Sequence, residues 1–294
     1  MQPAPGLTGK QNWSIESLPW DAFDASKVDP ELLKIAKAAA MVEYNAHDYA
    51  AYLQNVFEGD PEFQAAAREW SQEEVMHGLA LGRWAERADP TFNFEESFKR
   101  FTDGFKINLN TKESIRGSQA GELIARCIVE TGTSSYYTAL GDSCAEPVLK
   151  QICRNIAGDE HRHYKLFYSF LERYLEKDKL SKLDRLKIGL GRIAESEDDE
   201  LAYAYFSANF TGSDDNAAND NRNAAYDRQA ATNAYFAGAF SYYRFNHMEK
   251  IVAMVMKACG LKTQGLLAKT ASKLAWYGVQ AKLRNARRKT ALAS

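Results

Sequence analysis

Apolar residues recur along this chain at helical spacing over long stretches, and period-two alternation between turn signals is nearly absent. The breakers divide the pattern into elements. Pro30 stands near the start of a first helix over about 30–58. Gly59, Asp60 and Pro61 then make a turn and open a second over about 61–87. Asp89-Pro90 ends it. Residues 91–109 read as short helix plus loop, with Phe92, Phe94, Phe98, Phe101 and Phe105 offering core contacts. A third long helix is expected over about 112–142. A fourth, with Pro147 near its start, is expected over about 146–177. Later helices cover about 180–210 and 226–258, with one or two shorter ones to about 288. The segment TGSDDNAANDNRN, residues 211–223, is polar and without apolar period, and reads as a flexible loop.

The chain has 294 residues, enough for one large domain or two ordinary ones. The reading is an N-terminal extension, 1–29, and a single all-α domain, 30–294. In that domain a four-helix bundle over about 30–177 precedes accessory helices over about 180–290. With 45% hydrophobic and 26% charged residues, the composition is that of a soluble globular protein. No apolar run approaches the roughly 18 residues of a membrane helix, so no transmembrane segment is expected. The first residues lack the apolar core of a secretory signal, which points to the cytoplasm. Cys127, Cys144, Cys153 and Cys259 form no C-x-x-C pair, so they suggest reduced thiols rather than a zinc or rubredoxin-like module. A net charge of −2 selects no partner, and nucleic acid is not expected.

Two E-x-x-H motifs fall on predicted helices, Glu74-Val75-Met76-His77 and Glu160-His161-Arg162-His163. Positions three apart share a helix face, so a carboxylate and an imidazole can reach one metal ion. Glu43 lies 31 residues before Glu74, and Glu130 lies 30 before Glu160. Each interval fits one antiparallel helix hairpin. The chain therefore reads as two halves, each with Glu on its first helix and E-x-x-H on its second. Packed together, the halves aim Glu43, Glu74, His77, Glu130, Glu160 and His163 at one point, the ligand set of ferritin-like di-iron or di-manganese bundles. Four carboxylates neutralise two divalent ions, and one imidazole per metal suits iron. His47 lies one turn from Glu43 on the same face.

The residues around these positions resemble the soluble acyl-acyl carrier protein desaturases. Trp70-Ser71-Gln72-Glu73-Glu74-Val75-Met76-His77-Gly78 is similar to that family's W-[ST]-x-E-E-x-x-H-G segment. Ile156-Ala157-Gly158-Asp159-Glu160-His161-Arg162-His163 is similar to its I-A-x-D-E-x-R-H segment. Glu130-Thr131-Gly132-Thr133 matches its E-x-x-T, and Cys259-Gly260-Leu261 is similar in placement to its C-terminal G-L segment. The region around Glu43 departs from the family pattern. The resemblance implies that Asp159 accepts a hydrogen bond from His77 and that Thr133 offers a hydroxyl for proton delivery. It also implies that Trp70 lies on an electron route.

The expected activity is O2-dependent desaturation of an acyl chain. Its cofactor is two Fe ions, with Mn able to satisfy the same ligands. Its partners are an acyl carrier protein or a small apolar substrate, and a ferredoxin-type electron donor. Tyr136, Tyr137, Met76 and Phe167 are candidates to line an apolar tunnel. Lys269, Lys273, Lys282, Arg284, Arg287 and Arg288 are candidates to dock an acidic carrier. A homodimer is expected. Alternative readings are a di-iron monooxygenase or N-oxygenase, ferritin- or rubrerythrin-like iron or peroxide handling, and a metal-free helical scaffold. The third histidine of some N-oxygenases is replaced here by Ile156.

Overall fold

The computed structural model describes residues 13–109, 111–195, 199–209 and 226–293, and the expected loop at 211–223 lies outside them. Among the described residues the chain is helical, without strands. The helices are α1 (Pro30–Tyr44), α2 (Ala46–Val56), α3 (Pro61–Ala88), α4 (Phe94–Gly104), α5 (Gln119–Ser143) and α6 (Pro147–Asp178). They are followed by α7 (Lys182–Ala194), α8 (Asp199–Asn209), α9 (Arg228–Ala239), α10 (Phe245–Ala258) and α11 (Leu266–Ala293). Short 3-10 turns between Ile15 and Lys27 precede α1.

Local chemistry fixes where the bundle helices start. Asp29 accepts hydrogen bonds from the first amides of α1, Asp60 caps α3 and Ser118 caps α5. Glu146, fully buried, caps α6 through Val148 N and Leu149 N. It also accepts from the Trp84 indole and the Asp24 amide, tying α3 and the N-terminal segment to the start of α6. Pro30, Pro61 and Pro147 occupy first helical positions, where a missing N–H costs nothing.

Four boundaries differ from the sequence reading. The first helix breaks at Asn45, whose amide turns back to Val42 O at 3.2 Å, so α2 starts a new axis. The third starts at Gln119 rather than 112, because Gly117 takes a left-handed φ of 82° just before the Ser118 cap. The expected 226–258 helix is split at Tyr243 and Arg244, which are extended, and the His247 ring accepts the Arg244 amide to start α10. The last helix is long, running to Ala293.

The bundle pairs α1 with α3 and α5 with α6, and α3 also meets α6. Its core is divided. One apolar cluster takes Ile35 and Met41 of α1, Leu81 and Trp84 of α3, Tyr137 and Leu140 of α5, and Ile152 and Ile156 of α6. The other takes Leu53 of α2, Phe63 and Trp70 of α3, Leu123 and Cys127 of α5, and Phe167 and Phe170 of α6. Each long helix thus runs from one cluster into the other. Between the clusters every one of them presents acidic side chains. Phe101, one of the five phenylalanines expected to pack, is fully buried in the first cluster.

Candidate metal centre

The middle layer brings together all six side chains expected to be ligands. Glu43, Glu74, His77 and Glu160 form one buried group with donor atoms within 4.8 Å of each other. Glu74, Glu130, Glu160 and His163 form a second. Glu74 and Glu160 belong to both groups, the positions that carboxylates shared by two ions would hold. His77 and His163 are completely buried, and their rings lie 5.9 Å apart. His47, by contrast, is exposed on α2 and belongs to neither group. The break at Asn45 turns α2 away after Glu43.

Each imidazole points its Nδ1 inward. His77 Nδ1 lies 3.3 Å from Glu74 and 3.3 Å from Glu160, and His163 Nδ1 lies 3.1 Å from Glu74. Each Nε2 is held from behind. His77 Nε2 meets Asp159 Oδ2 at 3.1 Å, as the resemblance implied, and His163 Nε2 meets Glu73 Oε2 at 2.8 Å. Arg162 joins the two outer acids, donating to Glu73 at 2.9 Å and to Asp159 at 2.6 Å. With Nε2–H donating outward, the Nδ1 lone pairs face the carboxylates.

The hydroxyls are also placed. Thr133 Oγ1 lies 2.5 Å from Glu160 Oε2, and Tyr137 donates to Glu43 Oε1 at 2.5 Å. Thr133 Oγ1 also lies 3.2 Å from Val129 O and 3.3 Å from Glu130 O, so its single hydrogen has three possible acceptors. Trp70 packs against Phe167 and under the Arg126 guanidinium. A tryptophan that meets the histidine network directly is Trp13, from the N-terminal segment. Its ring stacks on His77 with centroids 6.0 Å apart, and its indole donates to Asp159 at 2.8 Å. Nothing in the local sequence around Trp13 signals this role, because the contact spans 146 residues. Glu73 did carry a signal: it precedes Glu74 as Asp159 precedes Glu160.

The electrostatics ask for cations. Burial and the neighbouring Glu74 push the Glu43 carboxyl well above the usual range; burial, Glu160 and Glu74 do the same to Glu130. Burial alone would depress His77, but Asp159 and three inner carboxylates hold it well above its ordinary value. His163 is raised against burial by Glu74 and Glu73. Without cations, then, the layer must take up protons. Both oxygens of Glu130, Glu160 Oε1 and His163 Nδ1 are buried without a hydrogen-bond partner among the described residues. Such groups cost about 1–3 kcal/mol each when left unsatisfied, more if charged. Two divalent cations would satisfy these atoms and balance four carboxylates, so the donor set fits a di-metal centre.

Of the residues expected to line a tunnel, Tyr137 bonds Glu43 and Phe167 packs between Phe63 and Trp70. None of Met76, Tyr136, Tyr137 and Phe167 lines the cavity of about 450 Å³ beside α2 and α5. No helix among the described residues is long and apolar enough to cross a membrane. Comparison with curated proteins gives no match. Residues 47–187 match the fatty acid desaturase family, and this stretch holds Glu73, Glu74, His77, Glu130, Thr133, Asp159, Glu160 and His163, with Glu43 just ahead of it. The segment that builds most of the buried acid and histidine layer is thus the part of this chain that is similar to the fatty acid desaturase family.

Proposed function

We propose that this protein is an O2-dependent di-iron oxidoreductase that desaturates an acyl chain. The observation that carries the reading is the buried layer itself: four carboxylates and two inward Nδ1 atoms, from helices α1, α3, α5 and α6, with both Glu130 oxygens lacking a hydrogen bond among the described residues. Glu43, Glu74, His77, Glu130, Glu160 and His163 would hold two iron ions. Manganese would find the same donors. The bound ions would supply the redox centre at which O2 is reduced to two waters, using two hydrogens from adjacent carbons plus two electrons and two protons from outside.

The protein's own part is positional. Asp159 and Glu73 fix both imidazoles in the tautomer that turns a lone pair inward. The two apolar clusters flanking the layer keep bulk water from it. Thr133 and Tyr137 bring hydroxyl protons to Glu160 and Glu43. Electrons would come from a ferredoxin-type donor, and Trp13, stacked on His77, lies on a path of contacts leading outward. The acyl chain would arrive on an acyl carrier protein or as a small apolar molecule. Lys269, Lys273, Lys282, Arg284, Arg287 and Arg288 are exposed on α11 and would offer an acidic carrier its docking face. The four cysteines are free and buried, in keeping with a reducing cytoplasm.

The test is metal analysis followed by turnover. The expected result is two iron ions per chain, lost in Glu130→Ala. An O2- and reductant-dependent double bond should then appear in acyl-carrier substrate, read by mass spectrometry. Purified protein that refuses iron, or turns over equally well without it, would defeat the proposal.

A further inference from the structure

The cavity of about 450 Å³ lies between α2, the chain around 105–116, α5 and the later helices. Its size is that of a small-molecule pocket. Leu53, Phe105, Ile107 and Ile115 give it apolar walls. Its charged lining is unbalanced: four guanidinium groups (Arg116, Arg126, Arg192, Arg228) face two carboxylates, Glu122 and Glu200. Most of these charges already have partners. Arg116 pairs with Glu195, Glu122 accepts from Tyr52 and Ser114, and Glu200 accepts from Tyr49. Arg192 and Arg228 have contacts of their own.

Arg126 differs. It is only 8% exposed, and it makes no hydrogen bond or ion pair among the described residues. Its guanidinium has only the faces of Tyr49 and Trp70, at 5.5 and 5.6 Å. Ring faces attract a cation but accept few of its five N–H donors. Glu130, one turn along α5, feels its charge without pairing with it. A buried guanidinium facing a cavity with its donors unused is a seat for an oxyanion, and its planar fork matches a carboxylate.

The geometry points to a binding site for an apolar molecule carrying one carboxylate, with Arg126 as the anchor. A single guanidinium neutralises a monoanion, and Glu122 and Glu200 would repel a second negative charge. The buried position of Arg126 and the 73% exposure of Ile115 give the orientation: carboxylate innermost, apolar tail toward the outer wall. Binding of this molecule does not rest on the function proposed above.

Titration calorimetry of the full-length protein with octanoate and 1-octanol tests the site. Octanoate should bind saturably and about tenfold tighter than the alcohol, the value of one charged hydrogen-bonded contact. Arg126→Gln should erase that preference. Ile115→Trp, at an exposed position on the lining, should weaken octanoate without disturbing the core, which keeps the test decisive if Arg126→Gln folds poorly. Equal affinity for acid and alcohol, no saturable octanoate binding, or octanoate binding untouched by both substitutions would overturn the site. Glu74→Gln separates the two claims, since it should impair metal binding and leave the octanoate preference intact. A wild-type protein that prefers octanoate but takes no iron would overturn the di-iron reading alone.

Discussion

Glu73 and Asp159 do the same work from opposite helices. Each precedes a carboxylate of the inner layer by one residue, and each accepts from the outward Nε2 of the other helix's histidine. Arg162 bridges them, so the two outer acids keep their charge despite burial. Asp159 is held down to about 2 by His77, Arg162 and Trp13, and Glu73 is lowered by His163 and Arg162. Replacing Glu73 with Gln keeps the shape but removes the charge behind His163. Metal affinity should fall by about 10–100-fold, measurable by chelator competition, while the melting temperature of the metal-free protein changes little. A second residue-scale pair reports on pH. Lys37 is 7% exposed and meets Asp89 at 2.6 Å. The Lys37 and Thr91 hydrogen bonds lower Asp89 from 3.8 to about 2. A carboxyl depressed on folding stabilises the protein above its unfolded value, and that contribution fades as pH falls through about 2. Asp89 keeps contact with solvent, so screening trims the pair to about 1 kcal/mol. Asp89→Asn should lower the urea midpoint at pH 7, and the gap from wild type should close between pH 4 and pH 2. A gap that persists at pH 2 would remove the charge explanation.

At the scale of elements, the close approach of α1 and α3 places Glu43 against Glu74 and His77. Gly78 permits it: a Cβ there would meet Tyr44 N at 2.6 Å and Tyr44 Cβ at 2.7 Å. Backbone atoms cannot rotate aside, so Gly78→Ala must push the helices apart. Such overpacking costs about 1–3 kcal/mol, and the displaced Glu43 should reduce metal occupancy as well. Calorimetric melting and metal analysis of this variant would show both effects together; a variant as stable and as fully loaded as wild type would rule out the spacer role. The end of α10 shows sequence setting geometry directly. Gly260, at a φ of 72°, lets Leu261 N reach Met256 O at 2.8 Å and its own amide reach Lys257 O at 2.9 Å, closing the helix. The Asn45 break carried no such marker. Residues 30–58 contain no internal proline or glycine, so one continuous helix was the reasonable expectation.

For the molecule as a whole, the polar layer sits between two apolar clusters crossed by the same helices. The helices from Lys182 onward do not enter the inner ligand set but enclose the bundle: α8 packs on α1 and α10 on α5. Exposed Leu266, Leu267, Leu274 and Tyr277 leave apolar surface on α11 that a partner could cover. The proposed homodimer predicts a native mass twice the 33.0 kDa of the chain, measured by sedimentation equilibrium. A large closed cage would instead favour iron storage.

The sequence by itself determined the helical class, the proline-marked starts of three bundle helices and the six residues of the inner layer. Those features are periodic or local: helical spacing, Pro and Asp at helix starts, and two E-x-x-H motifs at matching intervals. Only the tertiary structure decided the contacts between distant segments. It placed Trp13 on His77, left His47 outside the layer, set Glu73 behind His163 and buried Arg126 at the inner wall of a cavity. Such contacts depend on how whole helices pack, and a side chain's neighbours across 90 or 146 residues leave no trace in its own surroundings along the chain.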